Sequence, residues 1–453
     1  MVDMRYSRPE GVYANLSLAP CVVASRVCLG TLLCCLLLRA QPADSLTVEQ
    51  QIYAALSATF APSPNTSLIL FDPGITIDGW IDPHADQLQA RLAQIANEGL
   101  KSVPLRNPTA ATVPVVYDQI LRRESWGELV LDKTQQQQFA DANKILYKDP
   151  AQKTPTSGYA LYLQLKDRYT KVQSAWDSTP EDKRTETMRA ELDAAARDLE
   201  LRGNAPLYES NLETIESILA TQPVRQRDRW IAQLEGSSVL SPNGSRSFPV
   251  SFVPAIGFDY ARRWTTIKTD SAPVPSAIAA LPWPQNYGGP WRYCAGATFS
   301  DSDVRSATGA TPTVSMEATA LAISRPWMDE ALFSYRGWKM SGAGGPISSG
   351  GLPFQARGSL PIIVTHIILA RNVAIDGQLP PSELAKLTSQ SQAGKCSAFG
   401  PFVVSGNTEI GTGIVFAVPF GGGFYSPNTE VIGVLVTSVP KSPDPDLTHY
   451  RWP

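Results

Sequence analysis

The sequence predicts an α+β fold, in which a helical hairpin or small bundle in the N-terminal and middle region precedes a β-rich, sandwich-like C-terminal domain. Three observations carry this expectation. Apolar residues recur at intervals of three and four between residues 134 and 236. After residue 245, β-branched residues crowd into short runs bounded by Gly, Pro and Asn. The chain also holds 37 prolines and 32 glycines, many in the second half, which implies frequent turns there. The regions that follow are a leader over residues 1–43, a mixed region over 44–133, a helical hairpin or bundle over 134–236, a β-rich domain over 245–440 and a proline-rich tail over 441–453. A chain of 453 residues exceeds the usual span of one hydrophobic core, so two or three domains are expected.

The leader speaks to destination. Its apolar run over residues 27–38 is shorter than the about 20 residues that cross a bilayer as a helix. Basic residues Arg5, Arg8 and Arg26 precede the run, and the small residues Ala40 and Ala43 follow it, so a cleaved signal peptide is the first choice. An uncleaved anchor is the alternative. The protein is then secreted or membrane-tethered by this segment, and cytoplasmic if the leader is not translated.

In the mixed region, Thr47 is placed to cap a helix carrying Ile52, Leu56 and Phe60 on one face. Residues 67–71 make a short strand, which Asp72-Pro73-Gly74 should close as a turn. Asp82-Pro83 then opens a helix bearing Leu88, Leu92 and Ile95, and Gly99 should end it. In the middle, Tyr162, Leu165, Tyr169, Val172 and Trp176 share one stripe, as do Met188, Leu192, Ala195 and Leu199. Between them Thr179 reads as a cap and Pro180 as the first helical residue, so two helices of about 20 residues reverse into an antiparallel hairpin. Further helices are expected over residues 207–220 and 224–234. Strands are expected over 314–323, 362–375, 413–420 and 429–439, the last two forming a buried pair because their residues are apolar on both faces.

The chemistry is sparsely signposted. A formal net charge of −3 without clustered Lys and Arg argues against binding a nucleic-acid backbone. Asp78, Asp82, His84 and Asp86, with Asp72 nearby, gather carboxylates around one imidazole, a set suited to a divalent cation or acid–base work. Their spacing matches no calcium loop, and turn and cap roles already account for Asp72 and Asp82. Trp291 with Arg292, and Arg325 with Trp327, lie in proline-bearing, turn-like contexts where a protein or glycan ligand could stack. Cys294 and Cys396 are the two cysteines beyond the leader, and in an oxidising compartment they can pair. His366 falls on an apolar strand face and reads as a packed core residue.

No nucleophile elbow or phosphate-cradling loop occurs, and no cofactor is implied. The expected function is a non-enzymatic interaction or structural protein, exported or tethered, that meets the membrane only through its leader. The alternatives are a membrane-active, toxin-like protein and a metal-assisted hydrolase using the Asp/His set.

Overall fold

The computed structural model describes residues 47–61, 63, 65–77, 86–101, 103–240, 246–253, 263–270, 278, 281–283, 291–295, 298–301, 312–342, 345–377, 381–393, 395–407, 414–420 and 422–453. The leader therefore lies outside the described residues. The fold is mixed α+β with antiparallel sheets. Four long strands make its framework: β1 (Thr66–Ile77), β2 (Thr313–Ser324), β3 (Ile362–Asp376) and β4 (Thr429–Ser438). They pair antiparallel in the order β1, β4, β3, β2, and Ser251–Val253 lies beyond β2. Because β1 comes from the N-terminal region and pairs with the last long strand, the mixed and β-rich regions share one sheet. Leu46–Pro453 form a single compact unit.

β1, β3 and β4 are apolar on both sides because both sides are covered, whereas β2 alternates, with Val314, Met316 and Ala318 buried and Ser315 and Glu317 half-buried. Along β3, Ile368, Ala370, Val373 and Ile375 enter one cluster, whereas Ile362, Val364, Ile367 and Leu369 enter another. The first face meets helix α1 (Val48–Phe60) through Ile52 and Leu56. It also meets Phe399, Phe402 and Val404, which belong to a second, five-stranded sheet. The opposite face meets helix α2 (Asp86–Ala96) through Leu88, Leu92 and Ile95. A second sheet thus covers only part of one face, where the sequence suggested a sandwich.

Local chemistry explains where elements begin and end. Thr47 starts α1 with a reciprocal cap: its hydroxyl accepts the Gln50 N–H at 3.3 Å, and Gln50 Oε1 accepts the Thr47 N–H at 3.0 Å. Gly99 does not end α2, which stops at Ala96; it lies in the strand Glu98–Leu100, where a Cβ would overlap the Ala111 carbonyl. Asp72-Pro73-Gly74 does not close β1 either. It forms a bulge between Leu70 and Ile75, secured where the Gly74 N–H donates to the Pro401 carbonyl at 2.8 Å. The expected pairing of residues 413–420 with 429–439 is also corrected. Ile414–Phe416 joins the small sheet and Val418–Phe420 pairs with Gly423–Ser426, while β4 lies between β1 and β3. Being apolar on both faces reflects burial and does not select the neighbour.

The helices α3 (Val113–Arg123), α4 (Lys133–Leu146), α5 (Ser157–Ser178), α6 (Glu186–Arg197), α7 (Ala205–Ala220) and α8 (Pro223–Gly236) follow. α5 and α6 form the antiparallel hairpin: Arg184 stacks on Trp176 at the link, and Arg168 meets Asp198 at 3.2 Å nearer the base. Burial fades along its stripe, with Tyr162 and Leu165 buried and Tyr169, Val172 and Trp176 half-buried. The base packs into a cluster with Leu146, Tyr159, Leu199 and Tyr208. The cap of the second helix is Thr185, whose hydroxyl accepts the Met188 N–H at 3.3 Å. Thr179 instead terminates α5, and Pro180 leads a single 3₁₀ turn, Glu181–Lys183.

Candidate interaction surface

Asp78, Asp82 and His84 lie outside the described residues, and Asp86 is an exposed first-turn residue of α2. Among the described residues, no group of three or more His, Cys, Asp or Glu is arranged to hold a metal ion. Trp291 and Arg292 belong to the strand Trp291–Ala295, paired with Phe399 and Ala398 of the small sheet. The same ladder ends at Tyr293 paired with Ser397, the residues that adjoin Cys294 and Cys396. Cys396 is disulfide-bonded. His366 is half-buried, its Nδ1 is 3.1 Å from the Thr365 hydroxyl, and burial lowers its pKa.

Arg325 and Trp327 are interior residues, which corrects their reading as a ligand-stacking pair. The guanidinium of Arg325 donates to the carbonyls of Ala96 and Val364, the latter at 2.8 Å, and to Asn97 Oδ1 at 3.3 Å. It thereby satisfies the last carbonyl of α2 and places positive charge where the helix dipole favours it. Burial pushes its pKa down to about 10. Trp327 is fully buried and donates its indole N–H to the Pro249 carbonyl at 2.9 Å.

Around Trp327 an aromatic core gathers Trp126, Trp230, Phe333 and Trp338, and it anchors α8. Trp230 and Leu234 point inward, and the Trp230 N–H donates to Asp329 Oδ2 at 2.9 Å. Gln233 adds a bond to the Pro326 carbonyl at 3.0 Å. With its inner face fixed, α8 stands as a rigid ridge whose exposed side carries Arg225, Asp228 and Arg229.

Open clefts flank this ridge. On the side of α3, a cleft of about 570 Å³ holds Val115, 59% exposed, near Phe248, Arg123 and Arg246. Arg122 spans its wall between Asp118 and Glu235, 2.7 Å from each. Its hydrogen bond to Glu235 raises the guanidinium pKa and holds that carboxyl below its usual range. On the side of α7, a groove of about 620 Å³ is floored by Leu212, Ile215 and Leu219. Arg225, Asp228, Arg229 and Ala232 form its other wall at spacings of three, four and seven, one face of α8.

Two further titratable groups are structural. Tyr162 donates to Glu209 at 3.0 Å and receives Lys166 at 2.6 Å, tying α5 to α7; burial raises the phenol pKa, which keeps it protonated. Glu430 is wholly buried, and one of its oxygens accepts the Val403 N–H at 2.9 Å.

The groove residues had a sequence signal, since Leu212, Ile215 and Leu219 share a stripe. That pattern alone reads as internal packing. The exposure arises because α7 packs chiefly along α4 and only sparingly on α8. Comparison with family models, characterised proteins and solved structures finds no match.

Proposed function

We propose that this is a non-enzymatic interaction protein, exported or membrane-tethered, whose contact surface is α8 together with the clefts on its two sides. The observation that carries this reading is a buried-aromatic anchor beneath an exposed ridge bordered on one side by an apolar-floored groove and on the other by an arginine-lined cleft. Binding favours such a rigid support, because little conformational freedom is lost on association. Disulfide-bonded Cys396 supports the exported reading, since disulfides persist in oxidising compartments. Among the described residues no helix is long and apolar enough to cross a membrane.

A photo-crosslinking residue placed at Val115 tests the surface. Under the proposal it yields discrete higher-mass adducts in the native setting, whereas the same probe at exposed Arg189 on α6 yields none. Equal yields at both positions, or none at Val115, would refute the assignment.

A further inference from the structure

We infer that the α7–α8 groove is closed by the same groove of a second copy of this chain, an inference that rests on α8 being the interaction surface. The floor is apolar: Leu212, Ile215 and Leu219 recur at spacings of three and four and stay half-buried. Its borders carry both signs of charge. Glu216 lines it from α7, with Glu213 exposed one turn earlier on the same helix, and Arg225 and Arg229, one turn apart, line it from α8. Among the described residues none of these four takes part in an ion pair, although most neighbouring charges do: Arg227 meets Asp228, Arg122 meets Glu235 and Lys166 meets Glu209.

With Asp228 of the α8 wall already held by Arg227, the surface has one acidic and one net-basic border around an apolar strip and is complementary to itself. A two-fold axis lays the glutamates of one copy beside the arginines of the other and joins the two apolar strips. An acidic partner would satisfy only the α8 border, and a basic partner only the α7 border. A second copy satisfies both, and like charges brought together would oppose other arrangements.

The test uses the full chain and reads mass by sedimentation or light scattering at micromolar concentration. The parent chain is expected to sediment as a dimer of the 49.1 kDa chain. Glu213→Arg/Glu216→Arg and Arg225→Glu/Arg229→Glu should each weaken self-association at least tenfold, because each places like charges face to face. Mixing the two variants should restore association, since arginines then face glutamates at both contacts. Circular dichroism confirms that these exposed substitutions leave the fold intact. A monomeric parent overturns the inference, and so does a dimer indifferent to charge reversal or a mixture that fails to recover. A monomeric chain that still forms heterologous adducts from Val115 would leave the interaction reading standing and remove the second copy alone.

Discussion

Glu430 offers the sharpest quantitative test of how the two sheets are joined. Its carboxyl lies wholly inside the protein, where one oxygen accepts the Val403 N–H and the other is without a hydrogen-bond partner among the described residues. Burial pushes its pKa up to about 8 from an ordinary value of 4.5. The neutral acid is therefore the native species at pH 7. Below about pH 4.5 the carboxyl is protonated in both folded and unfolded chains, and its contribution to stability is fully present. As pH rises further, the unfolded chain releases the proton while the folded chain retains it, so stability falls by about 1.4 kcal/mol per pH unit until about pH 8. Across that window the loss approaches about 5 kcal/mol, a large fraction of a typical domain's stability.

Glu430→Gln keeps the shape and the acceptor for Val403 but cannot ionise. Urea denaturation from pH 5 to pH 9 is the assay. The variant should be within about 2 kcal/mol of the parent at pH 5, the cost of placing an amide N–H₂ where no acceptor waits. At pH 9 it should be about 3 kcal/mol or more the more stable, and the difference between the two curves should grow up to about pH 8 and then level off. Parallel curves would sink the reasoning, because they would mean that the carboxyl ionises with similar ease in the folded and unfolded chains.

Other consequences follow from named groups. Arg325→Met should lower stability by about 3 kcal/mol in urea melts, since it strands the Ala96 and Val364 carbonyls, and Arg325→Lys should restore little because an ammonium lacks the guanidinium fork. Thr185→Ala should cost about 1 kcal/mol and raise amide exchange in the first turn of α6, whereas Thr179→Ala should leave that turn unchanged. Peptide mapping without reductant should recover Cys396 linked to Cys294; a peptide joining Cys396 to any other cysteine would break the inference from the strand register.

Periodicity made much of this architecture legible. The Thr47 cap, the α5–α6 hairpin, the first half of β1 and the strands β2, β3 and β4 all arise where local pattern and burial agree. The discrepancies fall at element boundaries, one decided by a neighbouring cap and two by a group brought in from another segment of the chain. Thr179-Pro180 carries the residue types of a helix start, yet Thr185 takes the role because its hydroxyl reaches the Met188 N–H. Gly99 looks like a helix stop and is instead required by the close approach of Ala111. The turn residues Asp72-Pro73-Gly74 remain inside β1 because Pro401 accepts the Gly74 N–H, which converts a turn into a bulge.

The same principle explains why the tryptophans of the second half misdirect a search for ligands. An indole requires an acceptor for one N–H, and a guanidinium requires several, so neither residue type declares from sequence whether protein or solvent supplies them. Pro249 satisfies Trp327, Leu332 satisfies Trp338, and the end of α2 satisfies Arg325, so all three remain inside. The arginines of α8 meet the opposite situation. Arg225 and Arg229 lie on the far side of the helix from Trp230 and Leu234, where no carbonyl or carboxylate of the described chain closes on them. Burying Trp230 therefore does more than stabilise a core: it sets which face of α8 must look outward. The charges left on that face, Arg225 and Arg229, face solvent, and they are the ones the proposed interface engages.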